Sequence, residues 1–333
     1  MQQNPPLAGS NPADSERTRW ILDQRPPRNE LDAFKPHAFF LEKERGICGN
    51  ILNTAVILLT NRECPWRCLM CDLWKNTLTH SVPRGAIPAQ IQFALAQLGS
   101  SPEQVKLYNS GSFFDSAAIP ILDYPAIADA LSGVRTVIVE SHPRLVGARA
   151  LRFRDLLPGT LEVAMGLETI HPEVLPRLNK RFELADFRRS CEFLRHAEIG
   201  LRAFVLVKPP FLSEEEGVEW AVKSARFAFE CGAEVVSLIP TRPGNGSLER
   251  LMEAGQFMPP RLASLERAQE QTLALNRGRV FADTWDLERF SSCSTCFQPR
   301  RDRLQIMNLQ QRVLQPVDCP KCLGALDSDC AAI

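Results

Sequence analysis

Residues 53–71 read Asn53-Thr54-Ala55-Val56-Ile57-Leu58-Leu59-Thr60-Asn61-Arg62-Glu63-Cys64-Pro65-Trp66-Arg67-Cys68-Leu69-Met70-Cys71, and this stretch decides the fold. Its first part, Asn53 to Thr60, is a β-branched apolar run of strand length. Pro65 and the charged residues interrupt that run, so the cysteines fall on the loop leaving the strand's carboxyl end. In parallel α/β folds that end is the functional face. At the spacing C-x3-C-x2-C, three thiolates hold three corners of a cubane 4Fe-4S cluster and leave the fourth iron without a protein ligand. An open iron binds a substrate or cofactor directly and passes an electron to it. The bland alternatives are reduced thiols that happen to cluster, or three ligands of a zinc site completed from elsewhere.

Beyond this stretch the periodicity alternates between strand and helix. Val105 to Tyr108, Thr136 to Glu140, Leu161 to Met165, Ala203 to Val207 and Glu234 to Ile239 read as strands. Between them, Ile87 to Leu98 and Tyr124 to Leu131 have helical spacing, as do Leu184, Phe187, Cys191 and Leu194. Ser213 and Glu216 form a capping-box pair that starts a helix running to about Glu230. Counted from the cysteine strand, the pattern gives about six β/α units and a parallel α/β fold. Residues 1–35 are rich in Pro, Asn, Gln, Arg and Asp and read as a flexible lead-in. The mixed segment Phe34 to Gly49 is expected to pack across the barrel entrance.

A strand, then C-x3-C-x2-C, then alternating strands and helices resembles the radical S-adenosylmethionine (SAM) superfamily. The resemblance implies an α/β fold, a partial (β/α)6 TIM-like barrel over residues 36–285. It also implies that Cys64, Cys68 and Cys71 ligate a 4Fe-4S cluster whose open iron chelates the amino and carboxylate groups of SAM. Reduction then cleaves SAM to methionine and a 5'-deoxyadenosyl radical that abstracts a substrate hydrogen. Met70 stands where an aromatic residue often precedes the last cysteine, and a thioether packs on adenine too.

Residues just past each strand of such a barrel converge on the cluster. Asn109, Ser110 and Gly111 follow the second strand, where the family carries a Gly-rich stretch that meets the SAM amino group; as residues alone they are also ordinary turn formers. Glu140 and Glu168 end the third and fourth strands. Carboxylates there are costly to bury unless they bind something polar, which makes them candidates for the SAM amino group or ribose hydroxyls. Lys208, directly after the fifth strand, is a candidate for the SAM carboxylate or a substrate anion, or a snorkelling surface residue. Arg242, in the loop Pro240 to Gly246, could pair with a phosphate or carboxylate. His142, His171 and His196 lack metal-ligand spacing.

A second cysteine group, Cys293-Ser294-Thr295-Cys296 and Cys319-Pro320-Lys321-Cys322, forms two C-x2-C knuckles in a tail over residues 286–333. Four thiolates so paired fit a closed structural zinc site, with an auxiliary iron-sulfur cluster as the rival. Seven of the eleven cysteines fall into the triad and the knuckles, a pattern of metal binding in a reducing compartment rather than of disulfides. The 39 basic and 39 acidic residues cancel, so total charge neither marks nor excludes a nucleic-acid partner. The sequence has no apolar run long enough to span a membrane and no signal-peptide order, and a cytoplasmic location is expected.

Gly166-Leu167-Glu168-Thr169, with Pro172 to Leu175 and Asn179-Lys180, is similar to the segment in radical SAM enzymes of the Elongator catalytic subunit type. Together with Asn109 to Phe113, Lys208 to Leu212 and the cysteine-rich tail, the whole looks most like the radical SAM subunits of archaeosine synthases, over roughly residues 52–322. That resemblance implies action on a 7-deazaguanine side chain in tRNA, an electron donor such as flavodoxin or ferredoxin, and a partner subunit that contributes RNA affinity. The alternatives are a radical SAM enzyme acting on a small molecule or peptide, and a non-catalytic iron-sulfur redox sensor or RNA-binding module.

Overall fold

The computed structural model describes residues 14–99 and 101–322. Eight strands form one sheet in chain order: β1 (Ala38–Arg45), β2 (Ile51–Leu58), β3 (Gln104–Tyr108), β4 (Thr136–Ser141), β5 (Thr160–Glu168), β6 (Gly200–Val207), β7 (Val235–Pro240) and β8 (Arg279–Ala282). β1 runs antiparallel to β2, and every later neighbour pair is parallel. The helices are α1 (Asp14–Asp23), α2 (Ala86–Leu98), α3 (Tyr124–Ala130), α4 (Ala148–Arg154), α5 (Val174–Arg177), α6 (Leu184–His196), α7 (Glu214–Glu230), α8 (Ser247–Glu253), α9 (Leu262–Leu273) and α10 (Ser294–Gln310). All six expected strands are present. α7 starts with the expected capping box: Glu216 N–H donates to Ser213 Oγ at 3.3 Å and Ser213 N–H to Glu216 Oε2 at 2.9 Å.

Two strands escaped the sequence reading. The stretch Phe34 to Gly49, expected to lie across the barrel entrance, instead supplies β1, a strand paired along its whole length with β2. Its Glu42 and Glu44 occupy positions where an apolar residue would have marked a strand. β8 has four residues, too short for a period to show. Within the lead-in expected over residues 1–35, α1 buries Ile21 against Leu69, Leu248, Leu251 and Phe257.

The sheet curls, because side chains from strands that are not neighbours meet on its inner face. Tyr108 of β3 packs edge-on against Phe204 of β6 with ring centroids 5.8 Å apart. Deeper, near the amino ends of the parallel strands, Arg202 of β6 pairs with Glu44 of β1 at 2.7 Å and Glu162 of β5 at 2.6 Å. Lys106 of β3 pairs with Glu42 at 2.5 Å and with Glu44. Burial works against the Glu44 charge, yet Arg202 and Lys106 hold its carboxyl well below the usual carboxylate range. Arg279 stands 3.8 Å from Glu162 as a third cation, so three cations and three carboxylates plug the base of the barrel, while the apolar core lies between the sheet's outer face and the helices.

β1 and β8 are the two edges of the sheet and do not pair. Helix α10 covers the β8 edge. Gln311, just past its end, accepts from Val280 N–H at 2.7 Å and donates to Val280 O at 2.9 Å. Asn308 accepts from Ala282 N–H and donates to Ala282 O, both at 2.8 Å. Two side-chain amides thus take the place of a ninth strand. Leu304 and Met307 of α10 belong to the barrel's own hydrophobic cluster, so the segment after residue 286 shares that core.

Removing Arg202 leaves two carboxylates buried without their main partner. Arg202→Met is expected to lower unfolding free energy by about 3–5 kcal/mol in denaturant titrations. Removing the exposed Lys223–Glu219 pair by Lys223→Met is expected to cost less than about 1 kcal/mol.

Candidate active site at the carboxyl ends of the strands

The loop after β2 carries Cys64, Cys68 and Cys71, partly exposed and without disulfides. Burial pushes all three thiols up to about 12, and each is close enough to another of the three to raise it further. Backbone N–H groups oppose this, from Trp66 toward Cys64 and from Leu73 and Trp74 toward Cys71. The charge of Lys180 acts in the same sense on Cys64 and Cys68. Buried thiols that ionise only with help fit a cationic metal cluster, whose binding displaces their protons.

The loop is held from several sides. At its base, Gln90 of α2, fully buried, accepts from Thr60 N–H and donates to Thr60 O, both at 2.8 Å. Asn179, following α5, donates to Arg67 O at 2.7 Å. Asn245, ahead of α8, donates to Leu69 O at 2.7 Å and Cys71 O at 3.3 Å. Trp66 lies flat on His142, with centroids 3.6 Å apart and planes 5° from parallel. His142 Nε2 donates to Lys180 O at 2.9 Å and Nδ1 accepts from Arg144 N–H at 3.2 Å. Burial, with Lys180 nearby, takes this imidazole down to about 3, so it is a neutral platform. On the outside, Glu63 pairs with Arg25, Arg28 and Arg67, joining the segment after α1 to the loop.

Facing the loop, the other expected residues form two groups. In the first, Glu140 of β4 accepts from Asn109 N–H at 2.5 Å and Gly111 N–H at 3.2 Å. Burial pushes the Glu140 carboxyl up to about 7 against the pull of these N–H groups, that of Ser110 and the charge of Lys180. The Asn109 side chain is fully buried, and neither its Oδ1 nor its Nδ2 has a partner. Ser110 beside it holds a positive φ of 54°. A Cβ on Gly111 would lie 3.2 Å from Cys64 Cβ, so the glycine lets this turn close onto the cysteine loop.

In the second group Glu168, at a positive φ of 63°, pairs with Lys180 at 2.5 Å. Burial alone would lower the Lys180 ammonium, but Glu168 and the thiols hold it above its ordinary value. A Cβ on Gly166 would collide with both members of the pair. Lys208 is engaged elsewhere: it pairs with Glu214 at 2.7 Å, and Glu214 also accepts from Ser264 and from Arg261 N–H. Arg242 pairs with Asp283 at 2.5 Å. Sequence reading had quoted Asn179, Lys180, Trp66, His142 and Asn245 inside motifs without giving them these roles. Nothing in their spacing distinguishes a loop clamp from a turn residue.

The four tail cysteines converge as well. Their sulfurs lie within 4.8 Å of one another, with Cys293 to Cys319 at 3.9 Å and Cys296 to Cys322 at 3.6 Å. The N–H groups of Cys296 and Thr295, at the head of α10, draw the Cys293 thiol down to about 6. Arg300 and Arg303 fasten α10 to Glu266 of α9. Cys330 lies outside the described residues.

A curled, mostly parallel sheet with three cysteines leaving its first parallel strand is a fold shared with solved radical SAM enzymes. The chain superimposes on a radical SAM methyltransferase from Sphaerobacter thermophilus with a TM-score of 0.51 and 14% identity, covering 81% of each chain. It superimposes on Elp3 of the archaeon Methanocaldococcus infernus with a TM-score of 0.50 and 14% identity, over 66% of this chain and 59% of that one. In sequence it is similar to the archaeosine synthase subunit beta of Thermococcus kodakarensis, 31% identical over 59% of this chain and 63% of that protein. The subunit of the same name from Methanosarcina acetivorans is 26% identical over 83% of this chain and 82% of its own. The resemblance expected from the sequence is therefore borne out, although no family model matches the chain. Among the described residues no helix is long and apolar enough to cross a membrane.

His142→Ala removes the surface under Trp66 and leaves Arg144 N–H and Lys180 O without their partner. The expected result is a loss of about 1–3 kcal/mol in stability, with proteolytic nicking of the cysteine loop that is faster than in the wild type.

Proposed function

We propose that this chain is a radical SAM enzyme that modifies a base of tRNA. In this reading Cys64, Cys68 and Cys71 hold a 4Fe-4S cluster, and Asn109, Ser110, Gly111, Glu140 and Glu168 line the place of SAM. The observation that carries it is the buried, unpartnered Asn109 amide beside Glu140, on a glycine turn pressed against Cys64. Unspent polar groups on the turn beside the cysteine loop call for a polar ligand there. When bound, the cluster supplies the electron that cleaves SAM and so the radical that abstracts hydrogen. The tRNA substrate rests on the similarity to two archaeosine synthase beta subunits, whose name also favours a partner subunit. Lys208, held by Glu214, is the candidate that sits least easily with direct SAM contact.

The chain's own residues have defined tasks. Glu140 accepts hydrogen bonds from the amino group of SAM, and its carboxylate favours the cationic ligand only when ionised. Because its carboxyl is raised to about 7, it is largely protonated below that pH and ionised above it. Lys180 pairs with Glu168 and adds positive charge near the sulfurs. His142, Asn179 and Asn245 fix the loop so that the thiols stay gathered.

The tail cysteines hold one zinc ion in this reading. A tetrahedron with metal–sulfur bonds of about 2.3 Å has edges of about 3.8 Å. The observed 3.6 and 3.9 Å match it. The ligand sulfurs of a cubane stand roughly 6 Å apart.

Three measurements test these assignments. After anaerobic reconstitution and reduction, the wild type forms 5'-deoxyadenosine from SAM and Cys68→Ala does not; a loaded, reducible cluster that leaves SAM intact would falsify the enzyme reading. The ratio of wild-type to Glu140→Gln affinity for SAM rises about tenfold between about pH 6 and pH 8, a comparison that cancels SAM's own titration, and a flat ratio removes Glu140 from the site. Metal analysis finds one zinc per chain, lost in Cys319→Ser with the iron content unchanged; loss of iron and sulfide instead would mean a second cluster.

A further inference from the structure

Trp285 lies just beyond the carboxyl end of β8, and 59% of it is exposed. An aromatic residue that size on a loop ordinarily moves, yet the backbone of this one is fixed on both sides. The Trp285 backbone N–H donates to Asp283 Oδ1 at 3.0 Å, and its carbonyl accepts from Arg242 Nη2 at 2.9 Å. Its ring stacks on Phe40 of β1 with centroids 5.6 Å apart and planes at 29°. Phe40 shares a strand face with Glu42 and Glu44, whose carboxylates meet Lys106 inside the barrel. Phe40 therefore faces the interior at the upper end of β1, and Trp285 on top of it lies over the barrel mouth.

That position adjoins the cysteine loop. β1 is the neighbour of β2, and Ala38 stands opposite Leu58, the last residue before the loop begins. Arg242, which holds Trp285, belongs to the same short loop as Asn245, which donates to Cys71 O. Arg242 Nε is buried without a partner, while Asp283 is in reach of the same guanidinium. A flat, pre-set π surface thus stands beside a partly exposed guanidinium and carboxylate, at the rim of the barrel mouth.

We infer that Trp285, backed by Phe40, is the stacking wall that receives the nucleobase of the RNA substrate, with Arg242 and Asp283 at the edge of the base. This rests on the RNA reading above. A base taken out of its helix loses its stacking neighbours, and an aromatic wall replaces one of them. Trp285 makes no phosphate contact in this scheme, so its contribution is independent of salt.

The test is binding of end-labelled tRNA to the reconstituted full chain by fluorescence anisotropy, at several salt concentrations. Trp285→Phe keeps affinity within about threefold of wild type, and Trp285→Ala weakens it on the order of tenfold. The slope of log affinity against log salt stays the same in both. Cluster absorbance and unfolding midpoint report that the variants are folded. If Trp285→Ala unfolds early, Trp285→Leu covers Phe40 without an aromatic face and carries the same expectation. Wild-type affinity in the alanine or leucine variant overturns the stacking wall, as does a change in salt slope that accounts for the loss. A wild type that binds tRNA no better than duplex RNA overturns the RNA reading and this inference together, and shows itself before any substitution is made.

Discussion

Arg202 is the point on which the barrel turns. A guanidinium fully inside a protein persists only where carboxylates surround it, and here they come from β1 and β5, strands that an open sheet would keep far from each other. Lys106 repeats the arrangement from β3. Breaking one of these pairs leaves a buried charge, so the sheet has no inexpensive way to flatten. Among the described residues, charge fills the base of the barrel and leaves the carboxyl end for chemistry. That is where every loop carrying candidate chemistry emerges.

The upper end is built on a different economy. Its cysteine loop has little apolar surface to bury and is kept in shape by hydrogen bonds to backbone carbonyls from Asn179 and Asn245, by the Trp66–His142 stack and by the arginines gathered on Glu63. These clamps arrive from α5, α8, β4 and the segment after α1, so the loop is positioned by elements scattered through the chain. The neutrality of His142 matters here, since an imidazolium beside Lys180 and Arg144 would repel them and loosen the stack.

How much of this the sequence disclosed follows from which signals are periodic. β2 to β7 were legible because their apolar runs are bounded by turns, and α7 because Ser213 and Glu216 satisfy a local rule. β1 was not, because Glu42 and Glu44 face inward to meet Arg202 and Lys106, a choice set by residues more than sixty positions away. The cysteine triad, Glu140, Glu168 and the Asn109 to Gly111 turn are candidates that their places after strands make legible, and the structure sets them at those strand ends. Lys180 and His142 act only through partners that folding brings to them. Lys208 shows the opposite limit: its position after β6 was read correctly, but Glu214 at the start of α7 competes for its charge. α1 hid in polar composition because it buries a single stripe against the cysteine loop and α8.

The amides of Asn308 and Gln311 give the tail a meaning beyond its cysteines. A strand edge left bare is a template for another chain, and β8 would be such an edge without α10. The helix that covers it begins in the cysteine knuckles and is pinned along its length by Leu304, Met307, Arg300 and Arg303. The same segment that gathers four thiols therefore also keeps the barrel from offering a bare ribbon to its neighbours.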